Sequence, residues 1–414
     1  MKALTENIFI EELDDSGNPD FEVIERKGVG HPDTLADALA EELSRTYSNY
    51  TKSKFGAVLH HNFDKVGLLG GHSHVSFGNG YLTHPIRVLL NGRVSWKFGN
   101  NEIPVRKMLE YTTRDFLKRH FPNIDKERDI EIHFNISTAS SPGKVDEDAE
   151  KEGTRKFWFQ PRNLKDLREL THLGSNDTSL GCGYAPLSRA GRIVLALERL
   201  LNSIPFKKTR PWLGSDIKIM ASRMGDDLDM TICIPQIADH VPDVESYKEN
   251  IKSIRKDIVR FVKVMDPQIN FTLHTNTRDD FDTLEMYLTA IGSSIESGDE
   301  GLVGRGNRVD GLITPRLPMA MEGACGKNPV YHVGKIYNVA ARIIAQKLHA
   351  LTGGRAQVFL ISQSGRALQA PWKTIIALEK KGVDEERILS IVKEELRNMP
   401  NITDAILRGE VGLY

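Results

Sequence analysis

Three stretches of this chain combine glycines with cationic side chains at a loop or an expected helix start, and together they describe an anion site. The first is Glu25-Arg26-Lys27-Gly28-Val29-Gly30-His31-Pro32-Asp33. Glycine lets backbone approach a ligand closely, and a helix N-terminus offers unpaired N–H groups and partial positive charge suited to phosphate. His31 would add a donor, and Asp33 a hard oxygen ligand for Mg²⁺ bridging phosphates. The second stretch, residues 296–308, holds four glycines with Arg305 and Arg308 three apart, the guanidinium forks of a polyphosphate clamp. The third, residues 321–335, places Lys327 just ahead of Asn328-Pro329, a plausible helix start whose positive end favours an anion between them, with His332 and Lys335 close behind. Each stretch has a plain alternative: a capped helix start, a turn with solvated arginines, an exposed lysine. Three such starts in one chain favour a triphosphate-sized ligand over three unrelated surface turns. None is a Walker loop or a dinucleotide fingerprint.

Other segments are weaker singly. Lys218, in Asp216-Ile217-Lys218, sits at an expected strand start, where it either points into a site or is an ordinary surface lysine. Asn176-Asp177-Thr178-Ser179-Leu180-Gly181-Cys182-Gly183 offers a carboxylate and hydroxyls beside glycine, suited to a ribose or an amino group, and also reads as a turn. His60, His61, His72, His74 and His84 crowd one region, but no His-Glu-x-x-His motif accompanies them, so a zinc site is disfavoured. Cys182, Cys233 and Cys325 are odd in number and widely spaced, which excludes a disulfide framework and fits a reducing cytoplasm.

The elements that must position these groups read as strands followed by long amphipathic helices. Helices are expected over 31–54, 104–121, 186–203, 243–265, 329–351 and from 384 onward. Strands are expected within 55–95, with Asn91-Gly92 as a hairpin turn, and over 130–136, 216–238, 269–276, 286–295, 357–363 and 373–379. Residues 137–175 are polar and irregular, with a short helix at 163–170, and are too long for an ordinary connector. Strands and helices are grouped and do not strictly alternate, so an α+β fold with mixed or antiparallel sheets covered by long helices is favoured over a doubly wound parallel sheet. The 414 residues form three approximate modules, 1–125, 126–266 and 267–414, with no low-complexity linker between them. They are expected to pack as one interwoven subunit.

Composition narrows the partners. Lys and Arg number 55 against 56 Asp and Glu, so no global basic field recommends nucleic acid, and any electrostatic site must be local. Apolar runs fall short of the ~18 residues a spanning helix needs, and acids stand where a signal peptide would place its apolar region, so the expectation is an unexported, cytoplasmic protein off the membrane.

Six ordered motifs carry a resemblance over nearly the whole chain. They are Glu-Arg-Lys-Gly-x-Gly-His-Pro-Asp at 25–33, Leu-x-Gly-Gly-His at 68–72, Asn-Asp-Thr-Ser-x-Gly-x-Gly-Tyr-Ala-Pro-Leu-Ser at 176–188 and Asp-Ile-Lys-x-Met at 216–220. Gly-Arg-Gly-Asn-Arg-Val-x-Gly-Leu-Ile-Thr-Pro at 304–315 and Gly-Lys-Asn-Pro-Val-x-His-Val-Gly-Lys-Ile-Tyr-Asn at 326–338 complete the set. In these the chain resembles the archaeal-type S-adenosylmethionine synthetases. The resemblance implies that the sulfur of L-methionine attacks C5′ of ATP and expels the whole triphosphate, which is hydrolysed to diphosphate and phosphate. It implies His31 nearest the departing oxygen, Lys218, Arg305 and Lys327 on the triphosphate, Asp33 on Mg²⁺, Glu25 as a site carboxylate, and Asp177 and Asp299 against methionine or adenosine. Arg308, His332 and Lys335 are further candidates from placement alone. K⁺ stimulation, three subdomains in pseudo-threefold arrangement, and a homodimer with active sites at its interface are also implied.

The chain departs from the family pattern in places. Ser137-Thr138-Ala139-Ser140-Ser141-Pro142 replaces the usual Gly-Gln-Gly-Ser-x-Asp and leads into a long insert resembling a gating loop, while Asp310 and Tyr331 stand where Asn is usual. Three rivals are a paralogue acting on another thioether, a nucleotide-binding regulator without turnover, and a histidine-metal hydrolase using the 60–84 cluster.

Overall fold

The computed structural model describes residues 1–13, 21–138, 157–379 and 384–414. In chain order, β1 (Ile8–Glu12) and β2 (Phe21–Lys27) precede α1 (Pro32–Phe55). Then come β3 (Gly67–Leu69), β4 (Ile86–Val94), α2 (Val105–His120), β5 (Ile130–Ser137), β6 (Leu180–Ala185), α3 (Arg189–Leu201) and α4 (Ile204–Lys208). The hairpin β7 (Lys218–Met224) and β8 (Asp227–Cys233) leads into α5 (Val244–Met265), β9 (Asn270–Thr275) and β10 (Glu300–Leu302). The last stretch is α6 (Val333–Thr352), β11 (Ala356–Ile361), β12 (Lys373–Leu378), α7 (Glu385–Arg397) and α8 (Met399–Leu407).

These strands form three mixed sheets with one common pairing pattern. In the first, β5 runs parallel to β4, which pairs antiparallel with β3, which pairs antiparallel with β10. In the second the order is β9, β8, β7, β2, again with one parallel pair followed by two antiparallel ones. In the third it is β1, β12, β11, β6, with the same sequence of pairings. Each sheet buries its inner face in its own apolar core.

The chain crosses between these cores at three strand-to-helix steps. β2 belongs to the second sheet, yet α1 packs in the core of the first through Leu35, Leu39, Leu43 and Tyr47. β6 belongs to the third, yet α3 packs in the core of the second through Ile193, Val194 and Leu197. β10 belongs to the first, yet α6 packs in the core of the third through Ile336, Val339 and Ile344. The expected α+β class with mixed sheets is present.

Three local expectations need correcting. Asn91-Gly92 lies inside β4, where a Cβ on Gly92 would meet Asn62 O at 2.4 Å, so the glycine admits a crossing backbone and makes no turn. The hairpin turn is instead at Gly78, φ +74°, between strands His72–Ser76 and Asn79–His84. Within 286–295 only Leu288–Thr289 is strand, because the Glu296 carboxylate accepts the N–H groups of Ala290 and Ile291, both at 2.6 Å, that a neighbouring strand would otherwise take. The sixth helix begins at Val333, not 329, with His332 as its N-cap. Most of the expected gating loop, 139–156, lies outside the described residues; of the short helix at 163–170, two 3₁₀ turns are present, Leu164–Asp166 and Arg168–Leu170.

Gly181 and Gly183 share one face of β6 and let α6 lie directly on it: a Cβ would meet Tyr337 at 2.4 Å and Arg342 N at 2.3 Å. This segment is therefore core strand where a turn or ligand loop was an alternative. Gly183→Ala is expected to lower stability by ~1–3 kcal/mol through overpacking; an unchanged denaturation midpoint would contradict this backbone-on-backbone contact.

Candidate functional site

The glycines of 28–30 approach the chain itself. Gly28 N–H bonds Ile217 O at 2.8 Å and Gly30 N–H bonds Ser215 O at 3.1 Å, which brings the His31 turn beside the start of β7. His31 is the N-cap of α1, its Nδ1 accepting the Asp33 N–H at 3.1 Å, so a neutral ring carries its proton on Nε2. Burial holds its pKa below the usual histidine value, against the pull of Asp216 and Asp33. Lys218 leads β7 with its ammonium 3.2 Å from Glu25, and its side chain is 40% exposed. Asp216 is buried and accepts from Tyr287 Oη at 3.0 Å and from Ser294 N at 3.0 Å. Ser294 Oγ lies 2.6 Å from Asp216 and 3.0 Å from Asp299, tying Asp299 to the same group. His31, Glu25, Lys218, Asp33, Arg305 and Asp299 thus gather at one place.

Asp33 is nearly enclosed. Oδ1 accepts the Leu302 N–H at 3.0 Å and Oδ2 the Lys27 ammonium at 2.8 Å, while Arg305 Nε stands 3.9 Å away on a side chain that is 69% exposed. Lys27 also donates to Arg305 O at 2.8 Å. Each Asp33 oxygen keeps a second lone pair, and a hard carboxylate suits Mg²⁺, although a bound ion would have to share the site with Lys27. Asp37, one turn on, accepts the Gly304 N–H at 2.8 Å, and burial pushes its carboxyl up to about 7.

A second group lies further along α1. Lys335 is fully buried, its ammonium 2.6 Å from Glu41, which also accepts the Gly326 N–H at 3.0 Å; this pair is internal and does not face a ligand. Lys327 contacts Glu322, donates to Gly323 O at 2.6 Å and lies 3.6 Å from Asp64. His332 caps α6 as His31 caps α1, Nδ1 accepting the Gly334 N–H at 3.3 Å, and burial with the nearby Lys327 lowers its pKa to about 3. Asp64, Glu322 and His332 line a cleft of about 1250 Å³ whose wall also carries Asp177. Thr178 holds that wall, its Oγ1 accepting the Ser364 N–H at 3.0 Å. Arg308 is separate: it donates to Gly304 O at 2.9 Å and lines a small enclosed cavity with Asp37, Asp310 and Arg342.

The histidine crowd divides. His61 is buried against Ser44, Nε2 to Oγ 2.8 Å, and His72 stacks near His84 on the hairpin. His60 joins the cleft wall, Nδ1 2.7 Å from Tyr331 Oη and the ring stacked on Trp158 and Phe159. Sequence reasoning missed Lys27, Asp37, Glu41, Asp64, Asp216 and Glu322, which hold the site residues or the loops that carry them. Asp33, Asp37 and Glu41 recur every four residues on an otherwise apolar helix face, a pattern that marks buried acids in need of partners.

Chemically, the arrangement offers ammonium, guanidinium and imidazole donors to a polyanion. Residues 6–410 match the family of S-adenosylmethionine synthetase (AdoMet synthetase). The chain is 36% identical to the S-adenosylmethionine synthase of Thermoplasma volcanium, over 99% of both chains. It is 38% identical to the probable S-adenosylmethionine synthase of Aquifex aeolicus, over 94% of this chain and 95% of the relative. Among solved structures, an unusual S-adenosylmethionine synthetase from Campylobacter jejuni shares the fold at TM-score 0.58 and 14% identity, covering 95% of this chain and 94% of that one. The chain therefore belongs to the S-adenosylmethionine synthetase family.

Proposed function

We propose that this protein is a methionine adenosyltransferase that joins the sulfur of L-methionine to C5′ of ATP, releases the triphosphate whole and hydrolyses it to diphosphate and phosphate. The observation that carries the reading is the near-full-length family match together with cations held by carboxylates at two points along α1, Lys27 on Asp33 and Lys335 on Glu41. A thioether sulfur needs no base to attack, so the barrier lies in the leaving group, where negative charge grows on the oxygen bonded to C5′. His31 offers its Nε2–H to that oxygen, and its lowered pKa keeps the ring neutral at physiological pH. Lys218 and Arg305, exposed enough to reach a ligand, bind the phosphates from one side and Lys327 from another. Asp33 is the proposed Mg²⁺ ligand; when bound, Mg²⁺ supplies positive charge across the phosphates. Asp299 and Glu25 border the adenosine side, and Asp177 and Thr178 shape the cleft for the methionine end.

We further propose three subdomains about an approximate threefold axis, supported by the shared pairing pattern of the three sheets, and a homodimer. Support for the dimer is the open face of the second sheet. Phe21, Met220 and Met224 are 43%, 42% and 65% exposed there, on the same face as Glu25 and Lys218. Covering that apolar face with a second copy places the Lys218 group at the subunit boundary.

His31→Asn and Lys327→Ala are each expected to reduce S-adenosylmethionine formation by ~10²–10³ with unchanged melting curves; near-normal turnover in either sinks its assigned role. The acid limb of kcat/KM attributable to His31 should lie below pH 6.5, because burial in the ligand-free protein disfavours the imidazolium. A limb above that value that vanishes in His31→Asn would overturn the neutral-donor role. Met224→Asp should shift sedimentation from dimer to monomer with loss of activity, and a monomeric wild type would refute the interface.

A further inference from the structure

We propose that Asp64, Glu322 and His332 form a divalent-cation site that the Lys327 ammonium fills until a polyphosphate draws it away, a proposal that rests on the reading of Lys327 as a phosphate ligand. One ligand atom from each of the three residues lies within 4.8 Å of the others, the span of donors around a single ion. His332 supplies the independent sign. It is 93% buried by its 7% exposure, it lines the cleft with both carboxylates, and only its Nδ1 is bonded, to Gly334 N–H. The described residues offer its Nε2 no hydrogen-bond partner.

The place is already one that holds a cation. Lys327, only 2% exposed, lays its ammonium on Glu322 and Gly323 O and 3.6 Å from Asp64. It does so beside the first turn of α6, where a Cβ on Gly334 would be 3.2 Å from Nζ. A helix N-terminus repels an ammonium and attracts an anion, so the carboxylates alone keep Lys327 there. An arriving phosphate reverses the balance: the ammonium and the helix end both turn to the anion, and the two carboxylates are left facing an imidazole. Two carboxylates with one imidazole favour Mn²⁺, Co²⁺ or Zn²⁺ over Mg²⁺. Asp33, whose partners are Leu302 N–H and Lys27, is a separate place.

Mn²⁺ binding to the full-length protein, followed by electron paramagnetic resonance, tests this without turnover. Lys327→Ala and the space-filling Lys327→Met should bind Mn²⁺ at least tenfold more tightly than wild type, and Glu322→Gln at least tenfold more weakly. Pulsed measurements should find ¹⁴N coupling on that Mn²⁺ in Lys327→Met, absent when His332→Gln is added. With tripolyphosphate, wild type should show ¹⁴N and ³¹P couplings on one ion. Unchanged or weaker binding in both Lys327 variants, or ¹⁴N coupling that survives His332→Gln, overturns the site. Tight binding with ¹⁴N coupling in Lys327→Met but no ³¹P coupling in wild type overturns the exchange step and, with it, the phosphate role of Lys327. Methionine adenosylation is not read in any arm, so loss of that activity and loss of this site remain separate results.

Discussion

One stripe of carboxylates on α1 organises the candidate site. Asp33, Asp37 and Glu41 follow one another at four-residue spacing on a helix face buried in the protein. Each takes the backbone N–H of a glycine-rich loop or its neighbour: Leu302, Gly304 and Gly326. Burying three acids is costly unless each is bonded, so the loops are held where they are by the need to satisfy the helix. The glycines make this possible. A Cβ on Gly301 would lie 2.0 Å from Pro32 O, and one on Gly306 would lie 2.3 Å from the Asp37 carboxylate.

The same stripe explains how a chain with 55 cations and 56 anions can present the proposed polyanion site. Lys27 and Lys335 complete the charge balance of Asp33 and Glu41 inside the fold, while Arg305 and Lys218 keep exposed side chains at the rim. Buried pairs of this kind contribute little net stability, because desolvation offsets their attraction, but breaking one leaves a charge stranded. In the proposed function their role is to fix the loops, and so the exposed cations, before a ligand arrives, which limits the reorganisation that binding requires.

Much of the fold was legible in the sequence, for identifiable reasons. Helices with clear periodicity and caps, such as α1 with Pro32 and α5 with Asp243, fall within a residue or two of expectation. The site motifs were legible because glycine and cation are conspicuous together. What the sequence concealed were relations across the chain. Gly92, Gly181 and Gly183 look like turn or ligand glycines, and only the packing of 62–63 and α6 against them reveals close backbone approach. Lys335 looks like Lys327 in its motif, and only Glu41, 294 residues away, turns it inward. Glu322 and Asp64 carry no local signal, because their meaning comes from Lys327 and His332.

The three sheets share a pairing pattern, and each core takes one of its covering helices from a strand of another sheet. Such a chain cannot release one part without disturbing the others, and this suits a proposed site that draws His31 and the cations Lys218, Arg305 and Lys327 from distant parts of the sequence. The most direct measurement is product identification by mass spectrometry and phosphate analysis after incubation with ATP, Mg²⁺ and L-methionine. This account requires S-adenosylmethionine with equal amounts of diphosphate and phosphate. ATP left intact, or hydrolysed with no adenosyl–sulfur product, would contradict it.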